Sequence, residues 1–280
     1  MSAVIWYSEY TLHPRRALSA IAVPGPRRGA LIRAGSGFAD IHPWPELGDA
    51  TLDEQLATLA RSETTPLTRH SLEMARADGD ARERGISLFE GLTIPASHWP
   101  GNDPPPGFDT AKVKDVDGLP PRVRLRIDFN ARLDAVQFER IAKALPRDRI
   151  DFVEDPCPYQ ATTWRALRER TGLRLALDRM LAEDGVDVLV VKPAIQDVPK
   201  TSKEIVITSY MDHPVGQMHA AAIAARFATS ARCGLMTHVL FERNEFSERL
   251  QVDGARLVTP QGTGIGFDDL LQRISWKKLR

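Results

Sequence analysis

RVRLRID, residues 122–128, sets apolar residues between arginines and then ends on Asp128. Three later stretches have the same character. DFVE (151–154) ends on Glu154, LRLALD (173–178) on Asp178, and VDVLVVK (186–192) on Lys192. Short apolar runs that finish in a charge, with helix-like stretches between most of them, predict parallel strands delivering charged groups to one rim of a barrel. Three carboxylates brought together in this way repel one another unless a hard cation lies between them. Mg²⁺ suits such oxygen ligands.

The lysines reinforce this reading. The chain has 37 basic residues but only eight lysines, none of them before Lys112. Arginine cannot release its proton in a protein, so lysine is the residue to use where an amine must cycle between acid and base. Lys112 and Lys114 lie one strand before Asp128, and side chains two apart on a strand face the same way. Both therefore point inward, as do Arg126 and Asp128. Asn130 is placed to hydrogen-bond a metal-ligating carboxylate and fix its orientation. Lys192 comes from the far side of the ring, so a substrate would lie between two amines. Neighbouring positive charge lowers an amine's pKa toward neutrality, which makes it a usable general base.

Composition excludes several classes. Acids and bases balance at 37 each with no basic block, which argues against nucleic-acid binding. No apolar run has the length of a membrane span, and MSAVIWYSEY lacks a signal-peptide pattern, so a cytoplasmic chain with no membrane partner is expected. Cys157 and Cys233 are the only cysteines, too few for a disulfide framework, and Cys157 has no evident histidine partner for nucleophilic work. His42, His98, His213 and His238 show no paired metal spacing. GTGIG (262–266) lacks the lysine and preceding strand of a phosphate loop and reads as a turn.

Around this centre the chain divides in two. Residues 2–12 and 29–41 suggest an antiparallel pair, and 51–59 and 68–84 have helical spacing. A capping domain over 1–84, joined by a tail at 242–280, would flank a catalytic barrel over 85–241. Barrel strands are expected to begin at LTIPAS (92–97) and end at GLMTHVLF (234–241), with helices at 135–145, 161–170 and 218–228. The connections at 115–121 and after Lys192 are too short or too proline-rich for crossover helices. The expected fold is therefore α/β: a modified TIM-like (β/α)7β barrel with some outer helices missing, plus a small α+β capping domain.

Taken in order, Ala-Lys-Val-Lys (111–114), Arg-Ile-Asp-Phe-Asn (126–130), Phe-Val-Glu-Asp-Pro (152–156), Leu-Asp (177–178) and Val-Val-Lys-Pro (190–193) resemble the enolase superfamily in its muconate-lactonizing branch. Within that branch they are most similar to the o-succinylbenzoate synthases of menaquinone biosynthesis. The resemblance implies that Asp128, Glu154 and Asp178 hold Mg²⁺. It implies Lys114 as the acid/base, with Lys112 as its electrostatic neighbour, and Lys192 stabilising an enolate from the opposite face. Arg126 and Ser209 would contact a small carboxylate substrate. The implied reaction is a metal-dependent dehydration. Two alternatives share the fold: an N-acylamino acid racemase or dipeptide epimerase using Lys114 and Lys192 as opposed bases, and a non-catalytic binding relative, which would be expected to have lost a ligand. Leu235-Met236-Thr237-His238 offers no acid for a substrate amine, against the epimerase. The chain departs from the family in having Arg179-Met180 where Glu-Ser commonly follows the third metal aspartate, and in its close spacing of Asp178 and Lys192.

Overall fold

The computed structural model describes residues 4–18, 22–227 and 229–280. The outermost residues of two expected elements, 2–3 and 228, lie outside that range. The N-terminal sheet consists of β1 (Ile5–Leu12), β2 (Arg27–Ala34) and β3 (Gly37–Ile41). The stretch expected as one strand over 29–41 is in fact a hairpin, because Gly35 turns the chain at φ +63°. Two helices follow, α1 (Leu52–Ala60) and α2 (Pro66–Glu83). Thr51 with Glu54, and Thr65 with Thr68, form reciprocal caps that satisfy the first free amides of each helix. At Gly37 an added Cβ would stand 1.8 Å from the Ala75 carbonyl oxygen, so only glycine lets β3 approach α2 this closely.

The barrel sheet contains β4 (Trp99–Pro100), β5 (Thr110–Val113), β6 (Arg124–Asp128), β7 (Ile150–Glu154), β8 (Leu175–Asp178), β9 (Val188–Val191) and β10 (Glu204–Ile207), all parallel and in sequential order. The ring closes through a very short eighth element. Cys233 bridges Ser97 beside β4, and Gly234 bridges Thr208 beyond β10. The final strand expected over 234–241 is thus reduced to this bridge, and Thr237–Leu240 is a 3₁₀ turn. Likewise, pairing at the first strand begins at Ser97 and not across 92–97.

Among the described residues, helices cross only three of the connections: α3 (Ala135–Ala142), α4 (Ala161–Thr171) and α5 (Pro214–Phe227). The connections after Lys114 and Lys192 lack helices, as expected, and so does the one between Asp178 and Lys192. The tail adds a hairpin of β11 (Val252–Asp253) and β12 (Arg256–Leu257), the short helix α6 (Asp268–Leu271), and β13 (Lys277–Lys278), which pairs with β1. GTGIG is a turn tied to the cap, with the Ile265 amide donating to Asp78 Oδ1 at 2.5 Å.

Candidate active site

Strand alternation sorts the barrel side chains into two sets. Leu125, Ile127, Val153, Leu175, Leu177, Leu189, Val191, Ile205 and Ile207 pack outward in the main apolar core. Phe152, Ala176, Val188, Val190 and Val206 form a separate interior cluster. Residues two further along the same strands therefore continue the interior column at its C-terminal end: Glu154 above Phe152, Asp178 above Ala176, Lys192 above Val190. Asp128 opposes Glu154 directly in the β6–β7 ladder. The four charged strand ends thus share one mouth, where barrel enzymes carry their chemistry.

Ion pairs knit this mouth together. Lys112 Nζ donates to Glu154 Oε1 at 2.6 Å and lies 3.1 Å from Asp128 Oδ2. Lys192 Nζ donates to Asp178 Oδ1. The Asn130 amide donates to Asp128 Oδ1 at 2.9 Å, and its side chain does the same, so Asn130 orients this carboxylate as the sequence suggests. Asp155, with φ +43°, turns back so that its Oδ1 accepts the Asp178 amide at 3.2 Å. Burial of Asp128 and Glu154 costs several kcal/mol each unless positive charge compensates them. Two ammonium groups supply part of that charge. The donor set is all oxygen and comes from adjacent strands, with Asp128 oriented from behind by Asn130, which fits a hard divalent cation.

The electrostatics separate the two lysines of β5 and its end. Burial opposes the charged form of Lys112, but Asp128, Glu154 and Asp178 outweigh it and raise its pKa. Lys114 is brought down to about 8, first by burial and then, against the pull of Asp128 and Glu154, by the charges on Lys112 and Lys192. Its Nζ donates to the Leu18 carbonyl from the cap. Glu154 is raised to about 7 by burial and by repulsion from Asp128 and Asp178, despite Lys112 and Lys192.

Two expected substrate contacts are not presented to the mouth. Arg126 faces the interior but is only 1% exposed, and its guanidinium runs back toward the opposite end of the barrel. It donates to Asp151 Oδ2 at 2.8 Å, to His98 Nδ1 at 2.9 Å and to the Arg232 carbonyl at 2.5 Å, and lies over Phe152. Ser209 follows the inward Thr208 and so points the other way, with its Oγ 2.6 Å from Thr237 Oγ1. Cys157 is buried without a disulfide, and burial pushes its thiol up, away from nucleophilic use.

Sequence reading missed a buried polar junction between β3 and the loop after β10. Tyr10 Oη donates to Asp40 Oδ1 at 2.6 Å and lies 2.9 Å from His42 Nδ1. Asp40 Oδ2 accepts the His213 amide at 3.0 Å, with Asp212 alongside. A charged Asp40 near the end of the apolar stretch GFADI was the only available hint. Buried His70 and the exposed acids Glu73 and Asp197 also approach one another between α2 and the loop after Lys192. The Arg69 guanidinium already bridges all three, so this is an ion-pair network separate from the mouth.

Among the described residues, no helix is long and apolar enough to cross a membrane. The sequence family described as O-succinylbenzoate synthase, N-terminal domain, matches residues 5–81, and the one described as Enolase C-terminal domain-like matches 81–186. The chain is 34% identical to an o-succinylbenzoate synthase of Bdellovibrio bacteriovorus, covering 99% of this chain and 98% of that protein. That alignment runs over 329 positions against 280 residues here, so the relative carries segments that this chain lacks, consistent with the trimmed crossovers. In fold, it superposes on a mandelate racemase/muconate lactonizing protein from Herpetosiphon aurantiacus (TM-score 0.76, 13% identity, 95% of this chain, 98% of that one). It also superposes on a dipeptide epimerase from Cytophaga hutchinsonii (TM-score 0.76, 12% identity, 99% of this chain, 100% of that one). On this match over nearly its whole length, the chain belongs to the o-succinylbenzoate synthase family of the enolase superfamily.

Proposed function

We propose that this enzyme dehydrates 2-succinyl-6-hydroxy-2,4-cyclohexadiene-1-carboxylate to o-succinylbenzoate, serving menaquinone biosynthesis in the cytoplasm. The observation that supports this reading best is the pairing of one amine lowered to about 8, Lys114, with a second, Lys192, held by Asp178. Asp128, Glu154 and Asp178 would hold Mg²⁺, which when bound supplies positive charge against the substrate carboxylate.

Lys114 takes the α-proton; the C–H bond breaks and its electron pair moves into the enediolate. Lys192 faces the same space from the other side and its ammonium counters that growing negative charge. The Lys114 ammonium then returns its proton to the departing β-hydroxyl as the C–O bond breaks, so water leaves and the ring becomes aromatic. One group can serve both steps only if proton and hydroxyl leave from the same face. Lys112 remains protonated between Asp128 and Glu154, where it lowers the Lys114 pKa without moving a proton itself.

Racemisation of an N-acylamino acid or dipeptide would use Lys192 as a second base opposite Lys114, and Leu235-Met236-Thr237-His238 offers no acid to hold a substrate amine. Incubating the chain with Mg²⁺ and the diene acid should show loss of diene absorbance and formation of the aromatic product. Elimination should exceed N-acylamino-acid racemisation by at least about a hundredfold in kcat/KM, the discrimination that about 2.7 kcal/mol of transition-state binding supplies. Equal rates would overturn the substrate assignment.

A further inference from the structure

Arg179 follows Asp178, and its backbone takes φ +63°, which is uncommon for a residue other than glycine. That conformation turns the side chain away from the barrel sheet and toward the cap. Its Nη2 donates to the Leu47 carbonyl at 2.8 Å, and a guanidinium nitrogen lies 4.0 Å from Asp49 Oδ1. The guanidinium carbon stands 5.5 Å from the centroid of the Tyr210 ring.

The same groups contact one another. Asp49 Oδ2 accepts from both Tyr210 Oη and the Trp44 amide at 2.8 Å, and the Trp44 indole donates to the Tyr210 carbonyl at 2.8 Å. Trp44 and Tyr210 are buried. A closed ring of contacts therefore ties cap residues 44–49 to the ends of β8 and β10, next to the Asp178–Lys192 pair.

We propose that Arg179 is a positioning residue that fastens this cap segment over the Asp178 edge of the mouth, setting how tightly substrate is held without moving a proton. The proposal rests on the dehydration reading for its kinetic consequence but not for its structural one. A planar guanidinium suits the role because it can donate to a carbonyl and stack on an aromatic ring at the same time.

The test uses the full-length chain with Mg²⁺. Arg179→Met should raise KM about tenfold or more while kcat stays within about threefold, the pattern of lost uniform binding. Amide hydrogen exchange across residues 44–49 should quicken by about tenfold, reporting local opening of that segment. Arg179→Lys should recover part of the exchange protection, since an ammonium can still reach the Leu47 carbonyl. Tyr210→Phe should shift KM and exchange in the same direction as Arg179→Met, and the double variant should cost less than the product of the two. If Arg179→Met does not fold, Asp49→Asn makes the same comparison from the cap side. Unchanged exchange and KM, or a fall in kcat alone, would overturn the proposal. Faster exchange in a chain that does not turn over the diene acid would leave the fastening role standing and remove the dehydration reading instead.

Discussion

Lys112 and Lys114 stand two residues apart at one strand end, yet their amines are driven in opposite directions. Lys112 meets Glu154 and Asp128 at 2.6 and 3.1 Å and is held protonated, while half-buried Lys114 drops to about 8. The sequence Lys-Val-Lys thus supplies a fixed cation and a titrating amine from one turn of pleat. Arginine could do the first job but not the second.

Removing a carboxylate should separate chemistry from folding. Glu154→Gln should lose at least about 10³-fold in kcat/KM, equivalent to about 4 kcal/mol of transition-state stabilisation, with an unchanged circular dichroism spectrum. Exhaustive chelation should likewise abolish turnover, and added Mg²⁺ should restore it. Full turnover in chelator would contradict the ligand assignment.

Arg126 should matter to stability more than to substrate affinity. Arg126→Met removes hydrogen bonds to Asp151, His98 and the Arg232 carbonyl, although Asp151 keeps Arg124 at 3.2 Å and Arg174 at 3.5 Å, and losing such charge-assisted bonds costs about 1.5–3 kcal/mol. Denaturant unfolding should show a loss of this size. A rise in KM with unchanged stability would restore Arg126 to the substrate.

The Asp40 junction should make stability pH-dependent. Burial raises Asp40 to about 7, and Asp212 is raised for the same reason, with repulsion from Asp40 added. The folded state therefore binds more protons than the unfolded one between about pH 4 and 7, and stability falls as pH rises through that window. His42 and His213, lowered to about 3 by burial, act oppositely and withdraw stability as pH falls below about 6.5. Asp40→Asn should remove the share of the first slope that Asp40 carries, leave the share that burial of Asp212 carries, and keep the second slope. Its Tm relative to the parent should therefore climb from pH 4 to 7 and then level off. A constant offset would show that Asp40 does not titrate in this window.

The four charged strand ends were legible in the sequence because period-two alternation puts successive interior residues on one column. The same rule places Asn130, Lys112 and Lys114. It misled for Arg126, since alternation gives the face but not the direction in which a long side chain runs along it. Ser209 was assigned by resemblance, although it lies one residue out of phase with inward Thr208. The vestigial eighth strand could not be read, because two bridging residues leave no periodicity. The Arg179 contacts and the Asp40 junction depend on loops from distant parts of the chain meeting, which no local pattern records.

Whether Lys114 is the amine that moves protons is tested most directly by solvent deuterium exchange at the substrate α-carbon, compared between Lys114→Arg and Lys192→Arg. Each substitution keeps a positive charge and removes the ability to deprotonate. The account predicts that exchange and turnover fall together by several orders of magnitude in Lys114→Arg, roughly the 10²–10⁴-fold range of a lost general base or beyond. Lys192→Arg should retain measurable exchange, because a cation still faces the enediolate. Equal loss in both variants, or exchange surviving in Lys114→Arg, would contradict a single-base mechanism.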